Sequence, residues 1–129
     1  MDRTEPTRAW TPDELAALEN SPLIRVAAAR PDGTAGPFAL IGHVRLGQDE
    51  LIRSLNGVTG AWYRRATRAG RGEIDVAGRR ITVVFVRDVG RETEVDQALR
   101  ARYGRDSGVR RMTGPAAREA TLRVVPLDH

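Results

Sequence analysis

Few side chains in this sequence can do chemistry, and their types narrow the reactions at once. There is no cysteine, which excludes disulfides, thiolate nucleophiles, zinc–thiolate sites and iron–sulfur clusters. All 21 basic residues are arginine, so Schiff-base chemistry and a phosphate-loop lysine are excluded as well. Of the two histidines, His43 sits in an apolar stretch and His129 is the last residue. No second imidazole is spaced to share a metal with His43 and no Glu-x-x-His pair occurs, so no protein-bound metal is expected, and His43 reads as structural. Ser21, Ser54 and Ser107 lack the Gly-x-Ser-x-Gly turn that exposes a nucleophile. The paired carboxylates Asp13-Glu14, Asp49-Glu50 and Glu92 with Glu94 fall at helix starts or turns, where dipole and turn chemistry already account for them. His43, Tyr63 and Tyr103 are the acid–base candidates for an enzyme without a cofactor, and the catalytic residues are not assigned.

One stretch stands apart: RSLNGVTGAWYRRA, from Arg53 to Ala66. Asn56-Gly57 can take positive φ, Gly60 gives a second turn, and Arg64 and Arg65 follow at the start of a helix. A glycine turn exposes backbone N–H groups, a helix N-terminus adds partial positive charge, and arginine forks bind phosphate oxygens in pairs. Arg53, Ser54, Gly57, Arg64 and Arg65 therefore form a candidate phosphate cradle. Trp62 and Tyr63 could wall a ring or anchor the helix to the core.

The elements that must position this cradle can be read outward from it. Upstream, TPDELAALEN carries helix-start signals: Thr11 as N-cap, Pro12 in the first turn and Glu14 closing a capping box. LIRVAAAR, FALIGHVRL and LIRSL read as three strands of an antiparallel meander joined by PDGTAGP and a tight GQDE turn, which sets Arg53 and Ser54 at the end of the third. RATRAGRGE reads as a helix ending at Gly70 or Gly72. Downstream, a hairpin turns at Ala77-Gly78, and its second arm, Ile81 to Val86, is apolar on both faces and hence central. RETEVDQALRARYG is a helix with Gly104 as its stop. Residues 105–114 read as loop, Pro115 to Glu119 as a helical turn, and TLRVVPL as a last strand that Pro126 ends or places at an edge. About six mostly antiparallel strands with two or three helices predict an α+β protein, and closure into a small barrel would remove the exposed edges.

At 129 residues the chain is one domain long. Residues 1–10 are expected to be a flexible arm whose Trp10 packs back, and residues 11–129 the domain. No apolar run approaches the ~20 residues of a membrane span, and the N-terminus shows no signal-peptide pattern, so a cytoplasmic location is expected and no membrane partner. The net charge of +4 suits an anionic ligand, but the arginines are interleaved with 17 acidic residues. With no basic block, nucleic acid is not an expected partner.

The runs ARPDGTAGP, LIRSLNGVTGAWYRRATRAGRGEI, ALRARYG and AREATLRVVPL, in this order and spacing, resemble the bacterial family known as domain of unknown function 2255. A remoter similarity links them to the split β-barrel group, which includes flavin-binding pyridoxamine phosphate oxidase-like proteins and deazaflavin (F420)-dependent nitroreductases. That likeness implies a split barrel, a homodimer, and FMN or F420 as cofactor, with hydride transferred to or from a small organic molecule. It points to Arg53, Ser54, Gly57, Trp62, Tyr63, Arg64 and Arg65 as cofactor-binding. The chain departs from the deazaflavin pattern where Arg64-Arg65 follows the aromatic pair in place of an Asn. The alternative reading is a cofactor-free barrel that binds a small ligand or protein partner, or a cofactor-independent biosynthetic enzyme.

Overall fold

Thr11 opens the first helix, α1 (Pro12–Glu19), as its side chain requires. Its hydroxyl accepts from the Glu14 N–H at 3.2 Å, and the Glu14 carboxylate accepts from the Thr11 N–H at 2.9 Å, so two donors of the uncapped first turn are satisfied reciprocally. The same carboxylate takes a two-pronged pair from Arg8 at 2.7 and 2.8 Å. The Arg8 hydrogen bond is the main reason the Glu14 carboxyl titrates at about 2, well below its ordinary value. The structure, a computed structural model, describes residues 6–128. Residues 1–5 of the expected arm lie outside it; residues 6–10 run beside the last strand, with Thr7 bridged to Leu127 and Trp10 buried.

Seven strands follow in the described residues: β1 (Leu23–Ala28), β2 (Ala39–Gly42), β3 (Val44–Leu46), β4 (Asp49–Arg53), β5 (Arg71–Val76), β6 (Arg79–Arg87) and β7 (Thr121–Pro126). They pair antiparallel throughout, in the order β2-β1-β5-β6-β7-β4-β3. The two outermost strands are neighbours in sequence, separated by His43 alone. One bent segment thus supplies both ends of the sheet and closes it into a nearly complete barrel, the α+β split barrel expected. The count is seven rather than six because FALIGHVRL, expected as one strand, leaves β1 at Gly42 and joins β4 at Val44, paired to Leu51. The first three expected strands are therefore two hairpins, not a meander.

Where a strand changes partners, its backbone loses its ladder. At His43 the Tyr103 hydroxyl fills the gap, accepting from the His43 N–H at 2.9 Å and donating to the Pro22 carbonyl at 2.7 Å, with the His43 carbonyl also at 2.9 Å.

The β5–β6 turn falls at Ala77-Gly78, both with positive φ, and β6 lies between β5 and β7 as its two-sided apolar pattern requires. Pro126 ends a central strand. The barrel interior holds Ile24, Val26, Ile52, Ile74, Val83, Leu122 and Val124, and Trp10, Leu18 and Tyr63 pack into the same cluster. α2 (Ala61–Ala69) packs on β1, β5 and β6. A second cluster, Val44, Leu51, Val95, Leu99 and Val109, lies outside the barrel under α3 (Glu92–Tyr103) and α4 (Ser107–Met112). With α5 (Pro115–Arg118), the helical turn expected there, this gives five helices among the described residues, more than the two or three expected. The addition is α4, in the segment read as loop; Asp106 caps it by accepting from the Val109 N–H at 3.0 Å.

Candidate functional site

The turn after β4 is built in two steps. The Gly57 N–H returns to the Ser54 carbonyl at 3.0 Å, and the Gly60 N–H to the Gly57 carbonyl at 3.1 Å, so the chain winds through a short 3-10 turn, Gly57–Thr59, into α2. Gly57 has φ +68°, and a Cβ there would crowd the Ala116 carbonyl at 3.1 Å; both facts require glycine. At Gly60 the reason is close approach, because a Cβ would collide with Ser54 Oγ.

α2 then begins without a side-chain cap. The first intrahelical bond runs from the Arg64 N–H to the Gly60 carbonyl at 3.0 Å, which leaves the N–H groups of the first turn without a capping acceptor. Beside them Ser54 is 1% exposed, and its Oγ makes no hydrogen bond among the described residues. The buried side-chain atoms left without a partner among the described residues are Glu50 Oε2 and Arg123 Nε; Ser54 Oγ opens onto a groove instead. Hydroxyl and helix terminus both border a groove of about 650 Å³ whose walls are largely apolar: Leu23, Leu40 and Ile41 from β1 and β2, Trp62 from α2, Leu99, Val109 and Met112 from α3 and α4.

The residues singled out from sequence divide sharply. Ser54, Trp62 and Arg65 line the groove. Arg65 is half-buried and makes no ion pair or hydrogen bond among the described residues. Arg64 is exposed and off the groove, Tyr63 is in the core, edge-on to Trp62 at 6.3 Å between ring centres, and Gly57 shapes the turn without lining it.

Arg53 touches the groove floor, but its donors are engaged elsewhere. Nε donates to Thr121 Oγ1 at 2.8 Å, Nη1 to Asp96 at 2.5 Å and to the Met112 carbonyl at 2.9 Å, and Nη2 to the Glu92 carbonyl at 3.4 Å. Asp96 also accepts from Arg118, which lies 44% exposed. Burial alone would raise the Asp96 carboxyl, but its bonds to Arg118 and Arg53 outweigh this and hold it below its ordinary value. Arg53 is thus a brace joining β4, α3, α4 and β7.

A second buried knot forms at the barrel's bend. His43 Nε2 meets the Ser21 carbonyl at 2.6 Å and Nδ1 meets the Glu50 carboxyl. A carbonyl only accepts, so Nε2 carries a proton. Burial raises the Glu50 carboxyl above its ordinary value, which fits a protonated Glu50 donating to Nδ1. Both ring nitrogens are engaged, and His43 does not line the groove. Among the described residues no group of three His, Asp or Glu side chains converges as a metal-binding set.

Sequence reasoning missed most of the far wall, Leu23, Leu40, Asp106, Val109 and Met112; Tyr103, an acid–base candidate from the sequence, also lines it. The apolar alternation at Leu23 and Leu40 held a signal, because both lie outside on the barrel yet are apolar, 49% and 59% exposed.

Solved structures share this arrangement of strands and helices. The fold is similar to that of HutZ, the heme storage protein from Vibrio cholerae, with a TM-score of 0.61 at 8% identity, covering 95% of this chain and 93% of that one. It is similar to an F420 reductase, with a TM-score of 0.57 at 17% identity over 88% and 92% of the two chains. A putative pyridoxamine 5′-phosphate oxidase from Listeria innocua gives a TM-score of 0.57 at 10% identity, covering 88% of each. At such identities the likeness establishes the fold alone. No protein of curated function matches the chain. Over residues 14–124 the sequence matches the family described as an uncharacterized protein conserved in bacteria, DUF2255, and the chain belongs to that family.

Proposed function

We propose that the groove binds a flavin or deazaflavin, FMN or F420, and that the protein is an oxidoreductase passing hydride to or from a small organic molecule. The observation that carries this reading is the conjunction at its inner end: a Ser54 hydroxyl that opens on the groove with no protein partner, beside the uncapped N-terminus of α2. Such a terminus, with partial positive charge and N–H groups turned outward, suits a phosphate. Ser54 would donate to that phosphate, the first-turn N–H groups of α2 would share it, and Arg65 would supply the counter-charge. Trp62, Leu23 and Leu40 would bound a flat ring and exclude water from it. A groove of about 650 Å³ lies within the usual range for such ligands. The bound ring supplies the redox chemistry, which this chain's side chains cannot.

The similar structures named for F420 and for pyridoxamine phosphate oxidase support the choice. Heme, the cargo named for HutZ, has less support, because His43 has both ring nitrogens engaged. Leu23, Leu40 and Leu55, exposed at the rim, suit a second copy of this chain and hence a homodimer working in the cytoplasm.

The test is a fluorescence titration of the purified protein with FMN, FAD and F420, repeated with Ser54→Ala. Tight binding of one cofactor, weakened in the variant, is the expected result. Absence of micromolar binding by all three would return the groove to a non-redox ligand.

A further inference from the structure

The ligand groove has a neighbour, and the two share a residue. A second concavity of about 730 Å³ lies between the β1–β2 loop and the far end of α2, lined by Arg30, Pro31, Pro37, Arg65, Arg68 and Arg71 among others. Arg65 borders both. Along α2, Ala61, Arg65 and Arg68 stand at i, i+4 and i+7, which puts them on one face. At 1.5 Å per residue that face runs about 10 Å. Ala61 lines the first groove and Arg68 the second, so the face is a basic track leading from one to the other.

The charges along this track are available. Neither Arg65 nor Arg68 makes a hydrogen bond or ion pair among the described residues. Arg30 is held against its loop by one donor, Nη1 to the Ala35 carbonyl at 2.8 Å. That loop is fixed by its own bonds, Arg30 N–H to the Thr34 carbonyl at 2.7 Å and Gly33 N–H to the Arg30 carbonyl at 2.8 Å. Its one acid, Asp32, is exposed and accepts from the Thr34 N–H at 3.0 Å and the Thr34 hydroxyl at 2.6 Å. No described Asp or Glu lines the concavity. Asp32 near Arg30 and the weak negative end of α2 near Ala69 offset part of its positive potential.

We infer that this second concavity is an anion subsite for a phosphate- or carboxylate-rich group, joined through Arg65 to the ring groove. Its occupant is the anionic extension of the molecule in that groove, a link that rests on the ring-binding reading, whereas the subsite itself does not. Arginine forks on two elements, the loop and α2, would hold two or more oxygens at once.

The experiment titrates the intact protein with inorganic tripolyphosphate by calorimetry, in the wild type, in Arg30→Gln/Arg68→Gln, and in Ser54→Ala. Both arginines are exposed and outside the core, and thermal unfolding confirms that the double variant folds. The expected result is a loss of at least tenfold in the double variant, a smaller loss in Ser54→Ala, and an affinity that falls with added salt. Absence of tripolyphosphate binding, or equal binding by the double variant, overturns the subsite. FAD and riboflavin, compared in the same proteins, settle the link. A wild-type preference for FAD that collapses in the double variant supports it, and a preference that survives overturns the link while a free anion keeps the subsite. If tripolyphosphate binds but neither these flavins nor FMN nor F420 does, the ring reading falls and the subsite stands.

Discussion

Arg53 and Ser54 are adjacent in sequence and both almost fully buried, yet they belong to opposite kinds of region. The Arg53 guanidinium is bonded on all three nitrogens and ties together two strands and two helices. Ser54 Oγ has no partner and faces a helix end that also has none. Satisfied buried polarity is what holds a scaffold, because each group left alone would cost more than its bond contributes. A polar group left open on a groove can instead be completed from outside the chain. The contrast separates brace from cradle more sharply than residue type does, since an arginine and a serine suit either role.

The largest effect should come from Asp96→Ala. It leaves the Arg53 charge buried without its carboxylate, and breaking such a pair typically costs about 3–5 kcal/mol. Urea unfolding measures this, and a loss below about 1 kcal/mol would break the assignment of Arg53 as a brace.

Next comes acid. Glu14 titrates at about 2 when folded against an ordinary 4.5, and Asp96 is also held low. A carboxyl depressed in the folded state lends stability that is present above its unfolded value and lost as pH falls through its folded value. Stability should therefore drop by about 2 kcal/mol from Glu14 alone between about pH 5 and pH 2, part of the full linkage being screened by water at Arg8. Arg8→Ala should flatten that decline, and an unchanged curve in the variant would refute the pairing.

Ser54→Ala should do the reverse of Asp96→Ala. Stability should stay within about 1 kcal/mol of wild type, while affinity for the phosphorylated cofactor should drop about tenfold, roughly 1.4 kcal/mol. A fall in stability of several kcal/mol, with ligand affinity intact, would move Ser54 to the scaffold side.

The smallest change is expected from Glu50→Gln, which keeps a donor facing His43 Nδ1. Because the folded-state carboxyl is raised, its contribution is fully present below the unfolded value near 4.5 and fades as pH rises. The variant should match wild type near pH 4 and be at least as stable at pH 8, within about 1 kcal/mol. Strong destabilisation at pH 8 would instead show a buried ion pair.

What could be read from the sequence was local. The Thr11–Glu14 capping box, the Ala77-Gly78 turn and the Gly104 stop each depend on residues within a few positions, and each stands where its chemistry puts it. The two-sided apolar run of β6 likewise announced a central strand. The switch at His43 was hidden because side chains alternate through it while only the hydrogen-bonding partner changes, and the partner that fills the gap, Tyr103, lies 60 residues away. α4 escaped because only Val109 and Met112 of its six residues are apolar, although Asp106 was a visible cap. The fate of Arg53 depended on Asp96 and Thr121, 43 and 68 residues on, so its spacing to Ser54 suggested a phosphate ligand where distance in the chain concealed a brace.

β7 occupies a place in the sheet that bears on how the protein is made. It inserts between β4 and β6, with registers Ile52↔Leu122 on one side and Phe85↔Val124 on the other. A ribosome that has delivered every residue up to Ala120 has therefore produced two facing rows of unpaired N–H and C=O groups, both flanked by apolar side chains. Such edges invite pairing with other chains. Without β7 the barrel stands open between β4 and β6, like an arch without its keystone, with both edges free to pair elsewhere.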